Sequence, residues 1–141
     1  MIVIIAGGRE YYLGKQEIAW LNDLRAQYAI ATICHGDSRG VDRAAAIWAD
    51  SCGISVRPFP AEWKMFGRAA GPIRNAAMVQ ELVRLRAQHA SPVAVLLFPG
   101  NRGTENLERQ ARQAQLPILK YPQSGERLQK IEEDAPCHII Q

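Results

Sequence analysis

Leu97-Phe-Pro-Gly-Asn-Arg-Gly-Thr-Glu-Asn-Leu-Glu108 ends an apolar segment, turns at Pro-Gly, offers a second glycine three residues later and runs straight into a helical pattern. A strand that passes into a helix through such a turn leaves backbone N–H groups unpaired at the helix start, and these suit an anion. Phosphate is the expected guest. In this reading Gly100, after Pro99, permits the turn, Gly103 permits close backbone approach, and Thr104 caps the helix while offering a hydroxyl. The stretch lacks the Gly-Lys-Ser/Thr ending of a P-loop, so hydrolysis of ATP or GTP by that machinery is not expected.

The same grammar recurs twice upstream. Ile2-Val-Ile-Ile-Ala-Gly-Gly and Ile30-Ala-Thr-Ile-Cys-His-Gly-Asp are apolar runs, rich in β-branched residues, that end in glycine and precede helical patterns. Continuous apolar runs of this length suit strands buried on both faces. Ile54-Ser-Val-Arg-Pro-Phe and Leu116-Pro-Ile-Leu-Lys-Tyr complete the strands. Between them lie four core stripes at helical spacing: Ile18, Leu21, Leu24 and Tyr28; Val41, Ala45, Trp48 and Cys52; Met78, Leu82 and Leu85; Leu107, Ala111 and Ala114. Five strands alternating with four helices predict an α/β, Rossmann-like parallel sheet of order 3-2-1-4-5 with helices on both faces. Ligands of such sheets bind where the winding reverses, between the first and fourth strands, and all three glycine clusters fall at that end.

Composition narrows the class. The 141 residues suffice for one ordinary core, and 48% hydrophobic with 22% charged residues excludes disordered and fibrous chains. Seventeen Lys+Arg against fourteen acids give a net charge of +3, a weak preference for anions and no basic arm of the kind that coats nucleic acid. No apolar run is long enough for a membrane helix or flanked as a secretion signal, so a cytoplasmic protein with no membrane partner is expected. Cys34, Cys52 and Cys137 form no Cys-x-x-Cys pair, and their odd number argues for reduced thiols. The expected domain spans residues 1–122, and residues 123–141 read as a polar tail, with one short helix around 127–133 and no metal pair in Cys137-His138. No metal and no cofactor is assigned.

Three loops carry the candidate chemistry. Gly7, Gly8 and Arg9 follow the first strand, where Arg9 suits bidentate pairing with a phosphate. His35, Gly36, Asp37, Gly40 and Asp42 surround the second turn. Asp42 complements the dipole of the following helix, or Asp37 or Asp42 accepts from a sugar hydroxyl or base, and His35 is either satisfied by backbone or in ligand contact. Trp63-Lys-Met-Phe-Gly-Arg-Ala-Ala-Gly-Pro-Ile-Arg-Asn75 approaches a helix opened by Pro72 in its first turn, where Arg68, Arg74 and Asn75 are candidates to face the crevice. An exposed Trp-Lys-Met-Phe run is costly, so it is expected to pack over something.

Gly7-Gly8-Arg9, His35-Gly-Asp-Ser-Arg-Gly-Val-Asp42, Phe59-Pro-Ala-Glu-Trp63, Gly67-Arg-Ala-Ala-Gly-Pro-Ile-Arg-Asn75 and Phe98-Pro-Gly-Asn-Arg-Gly-Thr104, in that order, closely resemble the YspA-like family of the SLOG superfamily. That superfamily also holds the Lonely-guy phosphoribohydrolases and the DNA-processing protein DprA. The resemblance runs from about Ile2 to Tyr121. It implies a Rossmann-like fold that binds nucleotides or nucleotide-derived signals, often in phage or defence-related settings, and commonly as a homo-oligomer. The run Ala44-Ala-Ala46 would allow close helix approach or pack on the sheet.

The resemblance also implies a departure. Lonely-guy enzymes use an Arg in R-K-x-x-M and a Glu in P-G-G-x-G-T-x-x-E to cleave an N-glycosidic bond. Arg74 and Met78 match the first motif, with Asn75 in place of lysine. Pro99, Gly100, Gly103 and Thr104 match the second, but Asn101 replaces a glycine and Leu107 stands where the glutamate belongs. Leucine cannot transfer protons or stabilise an oxocarbenium-like charge. Glu108 stands four residues before Arg112, the spacing of a solvent-facing ion pair, so Glu105, whose charge in the first turn also complements the helix dipole, is the better substitute, and an enzyme would use Arg74 with Glu105 or Glu108. The leading expectation is therefore a binding module for a nucleotide or nucleotide-derived signalling molecule, a sensor or a sequestering protein. The alternative is a phosphoribohydrolase or related N-glycosidase. Single-stranded DNA binding, by analogy with DprA, is disfavoured by the small charge and the lack of a row of exposed aromatics.

Overall fold

The computed structural model describes residues 1–89 and 91–122. The expectations for the tail, including the helix at 127–133 and Cys137-His138, fall outside the described residues. Five strands, β1 (Ile2–Ala6), β2 (Thr32–His35), β3 (Ser55–Pro58), β4 (Val93–Leu97) and β5 (Ile118–Lys120), form one all-parallel sheet of order β3-β2-β1-β4-β5. The predicted topology is the observed one.

Register explains why the central strands read as unbroken apolar runs. Val3 pairs with Ile33 on one side and Ala94 on the other, and alternate residues along β1 go to opposite faces. Val3 and Ile5 join Leu21 and Leu24 of α1 (Lys15–Tyr28) and Val41, Ala45 and Trp48 of α2 (Val41–Ser51). Ile4 and Ala6 join Met78 and Leu82 of α4 (Ala70–His89) and Leu107 and Ala111 of α5 (Arg102–Gln113). A strand covered on both sides has no position for a polar residue. Cys34 lies within the second of these layers, where burial pushes its thiol up to about 11, so it is an inert core residue at neutral pH.

Two details depart from expectation, and a third takes one of two expected alternatives. The approach to α4 is helical rather than a loop: α3 (Trp63–Phe66) and a 3₁₀ turn (Gly67–Ala69) lead directly into it. Met65 and Phe66 stay exposed instead of packing over a neighbour, because so short a helix has no face to spare for the sheet. Ala45 is fully buried against the sheet with Ala44 packed beside it, so that much of the alanine run serves the core. No helix among the described residues is long and apolar enough to cross a membrane.

Candidate functional site: a cleft over the switch point

At the carboxyl ends of β1 and β4 the chain opens a cleft of about 1170 Å³. Its base is three turns tied to one another. The Gly8 N–H donates to the Pro99 carbonyl at 2.8 Å, the Phe98 N–H to Ala6 at 2.9 Å, and the Val41 N–H at the start of α2 to Gly8 at 3.3 Å. Glycines make this possible: at Gly7 a Cβ would lie 2.6 Å from a Val41 methyl and 2.9 Å from Phe98 Cβ, and two more are as confined. Gly40 has φ +81°, and a Cβ there would lie 2.5 Å from the carbonyl oxygens of both Gly8 and Arg9. At Gly100 a Cβ would meet the Thr104 hydroxyl at 2.2 Å and the Gly8 nitrogen at 2.8 Å. Gly100 has no positive φ, so it allows close packing of turns and not, as expected, an unusual turn conformation.

The second turn is fastened from below. Asp42 is almost fully buried, and its Oδ2 accepts from the Gly36 and Ser38 N–H groups, both at 3.2 Å. Desolvation pushes its carboxyl up to about 6 against the pull of those amides and of the Arg74 charge. Arg74 donates through Nη1 to the carbonyls of Gly36 and, at 3.5 Å, of Phe59, and through Nε to Asn75 Oδ1 at 2.9 Å. Burial lowers its pKa, opposed by Asp42. Asn75 in turn donates through Nδ2 to Gly103 O at 3.2 Å and Asn106 Oδ1 at 3.1 Å, which clamps α4 to α5. His35 is 3% exposed, and its Nδ1 accepts from the Asp37 N–H at 2.9 Å. Burial lowers its pKa, so the backbone-satisfied reading of this histidine is the one the structure presents.

Of the residues singled out in the sequence, Gly7, Gly8, Arg9, Asp42, Arg68, Arg74, Asn75, Gly103, Thr104 and Glu105 line the cleft. His35, Gly36, Asp37, Gly40, Pro99 and Gly100 do not. They build the turns beneath it, and Asp37 is turned outward, with Oδ1 3.8 Å from Arg43. Thr104 is not the cap of α5: Asn101 holds that position without a side-chain hydrogen bond, and Thr104 stands in the first turn. Arg74 and Asn75 sit one turn deeper in α4 than expected, because the helix already begins at Ala70. Pattern reading missed Arg39, Arg102 and Arg109. The spacing of Arg102, Asn106 and Arg109 on one face of α5 was the available signal.

The electrostatics of the lining are lopsided. Six arginines, Arg9, Arg39, Arg68, Arg74, Arg102 and Arg109, face three carboxylates, Glu10, Asp42 and Glu105. Glu10 is paired with Arg39. Arg9, Arg68, Arg102 and Arg109 have no ion pair among the described residues. The first intrahelical bond of α5 runs from the Glu105 N–H to Asn101 O at 3.0 Å, so the amides before it point out of the helix start beside these cations. Glu108 is turned away, bonded to Arg112 at 2.6 Å and Lys120 at 3.1 Å. Leu107 is core, and its side chain closes part of the cleft wall.

Sheet order, switch-point crevice and cationic lining together define a Rossmann-like α/β domain with a cleft suited to an anionic small molecule. Residues 1–66 match the YAcAr family, described as the YspA, cpYpsA-related SLOG family. The chain is also 32% identical over 104 residues to the Gene 61 protein of Mycobacterium phage D29, covering 69% of this chain and 75% of that protein. The chain belongs to the YspA, cpYpsA-related SLOG family. Membership suggests nucleotide-related binding or processing.

Proposed function

We propose that the protein binds a nucleotide or nucleotide-derived signalling molecule in this cleft and acts as a sensor or sequestering protein. The observation that carries the reading is the set of four arginines without carboxylate partners among the described residues, beside the uncapped start of α5. Unpaired guanidinium groups converging on one concavity repel each other, and an anion with several oxygens relieves that repulsion through charge-assisted hydrogen bonds. In this role Arg9, Arg68, Arg102 and Arg109 hold the anionic part, with Gly103 and Thr104 of α5 beside them. Asp42, Arg74 and Asn75 keep the walls in place. Isothermal calorimetry with nucleoside monophosphates, ADP-ribose derivatives and cyclic nucleotides tests it. Binding by at least one class, weakened by salt, is expected, and silence across the panel with folded protein rejects it.

A second reading, a nucleotide N-glycosidase, has one observation in its favour: the Glu105 side chain lines the cleft with no hydrogen bond or ion pair among the described residues. Against it, the Arg74 guanidinium is committed to two backbone carbonyls and Asn75, and Leu107 occupies the wall. Release of free base from a nucleoside monophosphate, abolished in Glu105→Gln, would establish the enzyme in place of the binding module.

A further inference from the structure

The cleft has an aromatic end as well as a cationic one. Trp63 opens α3, lines the cleft and remains 48% exposed, although tryptophan is the side chain with most to gain from burial. One edge of the indole faces Gly71 of α4, where a Cβ would make ordinary van der Waals contact with the ring at 3.4 Å. The Arg9 guanidinium carbon lies over the ring, 5.7 Å from its centroid. That separation is near the outer limit of about 6 Å for a cation–π contact, and among the described residues no carboxylate pairs with Arg9. The other tryptophans are used elsewhere: Trp48 is buried and donates to Asn22 Oδ1 at 2.9 Å, and Trp20 packs edge-on to Phe98 and Tyr121.

We infer that Trp63 and Arg9 form a slot for a planar heteroaromatic base, so that the ligand is a whole nucleotide and not a bare phosphate or sugar phosphate. This rests on the anion-binding reading of the same cleft. A ring stacked between indole and guanidinium needs about 3.5 Å on each side, roughly 7 Å in all, which a withdrawal of Arg9 by about 1 Å supplies. Any base offers a π-face, so the slot gives stacking without choosing among bases, and a purine covers more of the indole than a pyrimidine. Trp63 is thus a specificity-determining residue for base-bearing ligands.

Calorimetry with adenosine 5′-monophosphate and ribose 5-phosphate on wild type, Trp63→Ala and Trp63→Phe tests the slot, with circular dichroism as the fold check. The expected result is that Trp63→Ala weakens the nucleotide about tenfold or more and leaves ribose 5-phosphate within about twofold, while Trp63→Phe keeps most of the affinity. Wild-type fluorescence should be quenched by the nucleotide, and the quenching should vanish in Trp63→Phe. If wild type binds both probes alike and Trp63→Ala changes neither, or weakens both equally, the slot is refuted while anion binding stands. If folded wild type binds neither probe, the anion-binding reading falls and the slot with it.

Discussion

Beneath the cleft, the turns after β1, β2 and β4 satisfy one another: the Gly8 N–H donates to the Pro99 carbonyl, the Gly8 carbonyl accepts from the Val41 N–H, and Asp42 accepts from the amides of Gly36 and Ser38. Around the rim, Arg9, Arg68, Arg102 and Arg109 have no carboxylate partners among the described residues, and the first turn of α5 has no side-chain cap. Both regions are polar and both draw on glycine-bearing loops, yet one is closed and the other is left open. The difference separates residues that shape the cleft from residues that, in the proposed function, meet its occupant. Substitutions in the base should change stability first, and substitutions on the rim should change affinity alone.

The largest effect is expected at Gly40. Its backbone, at φ +81° and ψ −126°, excludes side-chain-bearing residues, and a methyl group would press on two backbone carbonyls that cannot rotate away. Backbone strain of about 1–3 kcal/mol adds to the cost of prising the β1 turn from α2, so Gly40→Ala should destabilise by more than about 3 kcal/mol. For a domain of this size that is a fall in Tm of roughly 10 °C. Thermal unfolding within about 2 °C of wild type would show that the base is softer than its hydrogen bonds imply.

Next comes pH. The Asp42 carboxyl, at about 6 in the folded chain, stands above the roughly 3.9 of an unfolded aspartate, so the folded state holds the extra proton. Its contribution is fully present below about pH 4 and is lost as pH rises through 6, a span of roughly 3 kcal/mol at most. His35 runs the other way: burial lowers its pKa, so charging it costs stability as pH falls below about 6.5. The comparison with Asp42→Asn isolates the first term. Urea unfolding at pH 4 and pH 7.5 should give wild type a larger advantage, or smaller deficit, against the variant at pH 4. A difference independent of pH would mean that folding does not raise the Asp42 pKa.

This division of labour also marks what the sequence could and could not disclose. Strand order was readable because apolar runs and glycine turns are local signals, and the right-handed crossover rule converts their alternation into 3-2-1-4-5. The position of the cleft followed. Which glycines meet a ligand was not readable, since Gly36, Gly40 and Gly100 look like Gly103 in a sequence. Whether a missing side chain makes room for a neighbouring turn or for a guest depends on distances across the sheet. Likewise Thr104 has the chemistry of a cap, but the helix begins two residues before it, and Arg102 and Arg109 are ordinary helix residues until the fold brings their face to the crevice.

On the rim the expected effects are on binding. Arg102→Gln or Arg109→Gln should weaken a nucleotide about tenfold, the loss of one charge-assisted contact, and flatten the salt dependence, with Tm within about 2 °C of wild type. Parallel calorimetry and thermal unfolding check both halves. A loss of stability equal to the loss of affinity would erase the distinction between rim and base.

The smallest expected effect on stability sharpens the comparison most. Gly103 lies in the first turn of α5, at ordinary helical φ, and a Cβ there would have nothing within 4 Å. Replacing a helical glycine by alanine removes backbone freedom from the unfolded chain, so Gly103→Ala should be neutral or stabilising by up to about 1 kcal/mol. The same methyl would stand among the first-turn amides that open on the cleft. If those amides hold an anion, the variant should bind a nucleotide several-fold more weakly while being at least as stable as wild type. Gly100→Ala, one turn of chain away, should do the reverse and lose stability, because its methyl collides with the Thr104 hydroxyl and the Gly8 amide. Chemical denaturation and calorimetry on the pair distinguish a glycine that leaves room for a ligand from one that leaves room for the protein.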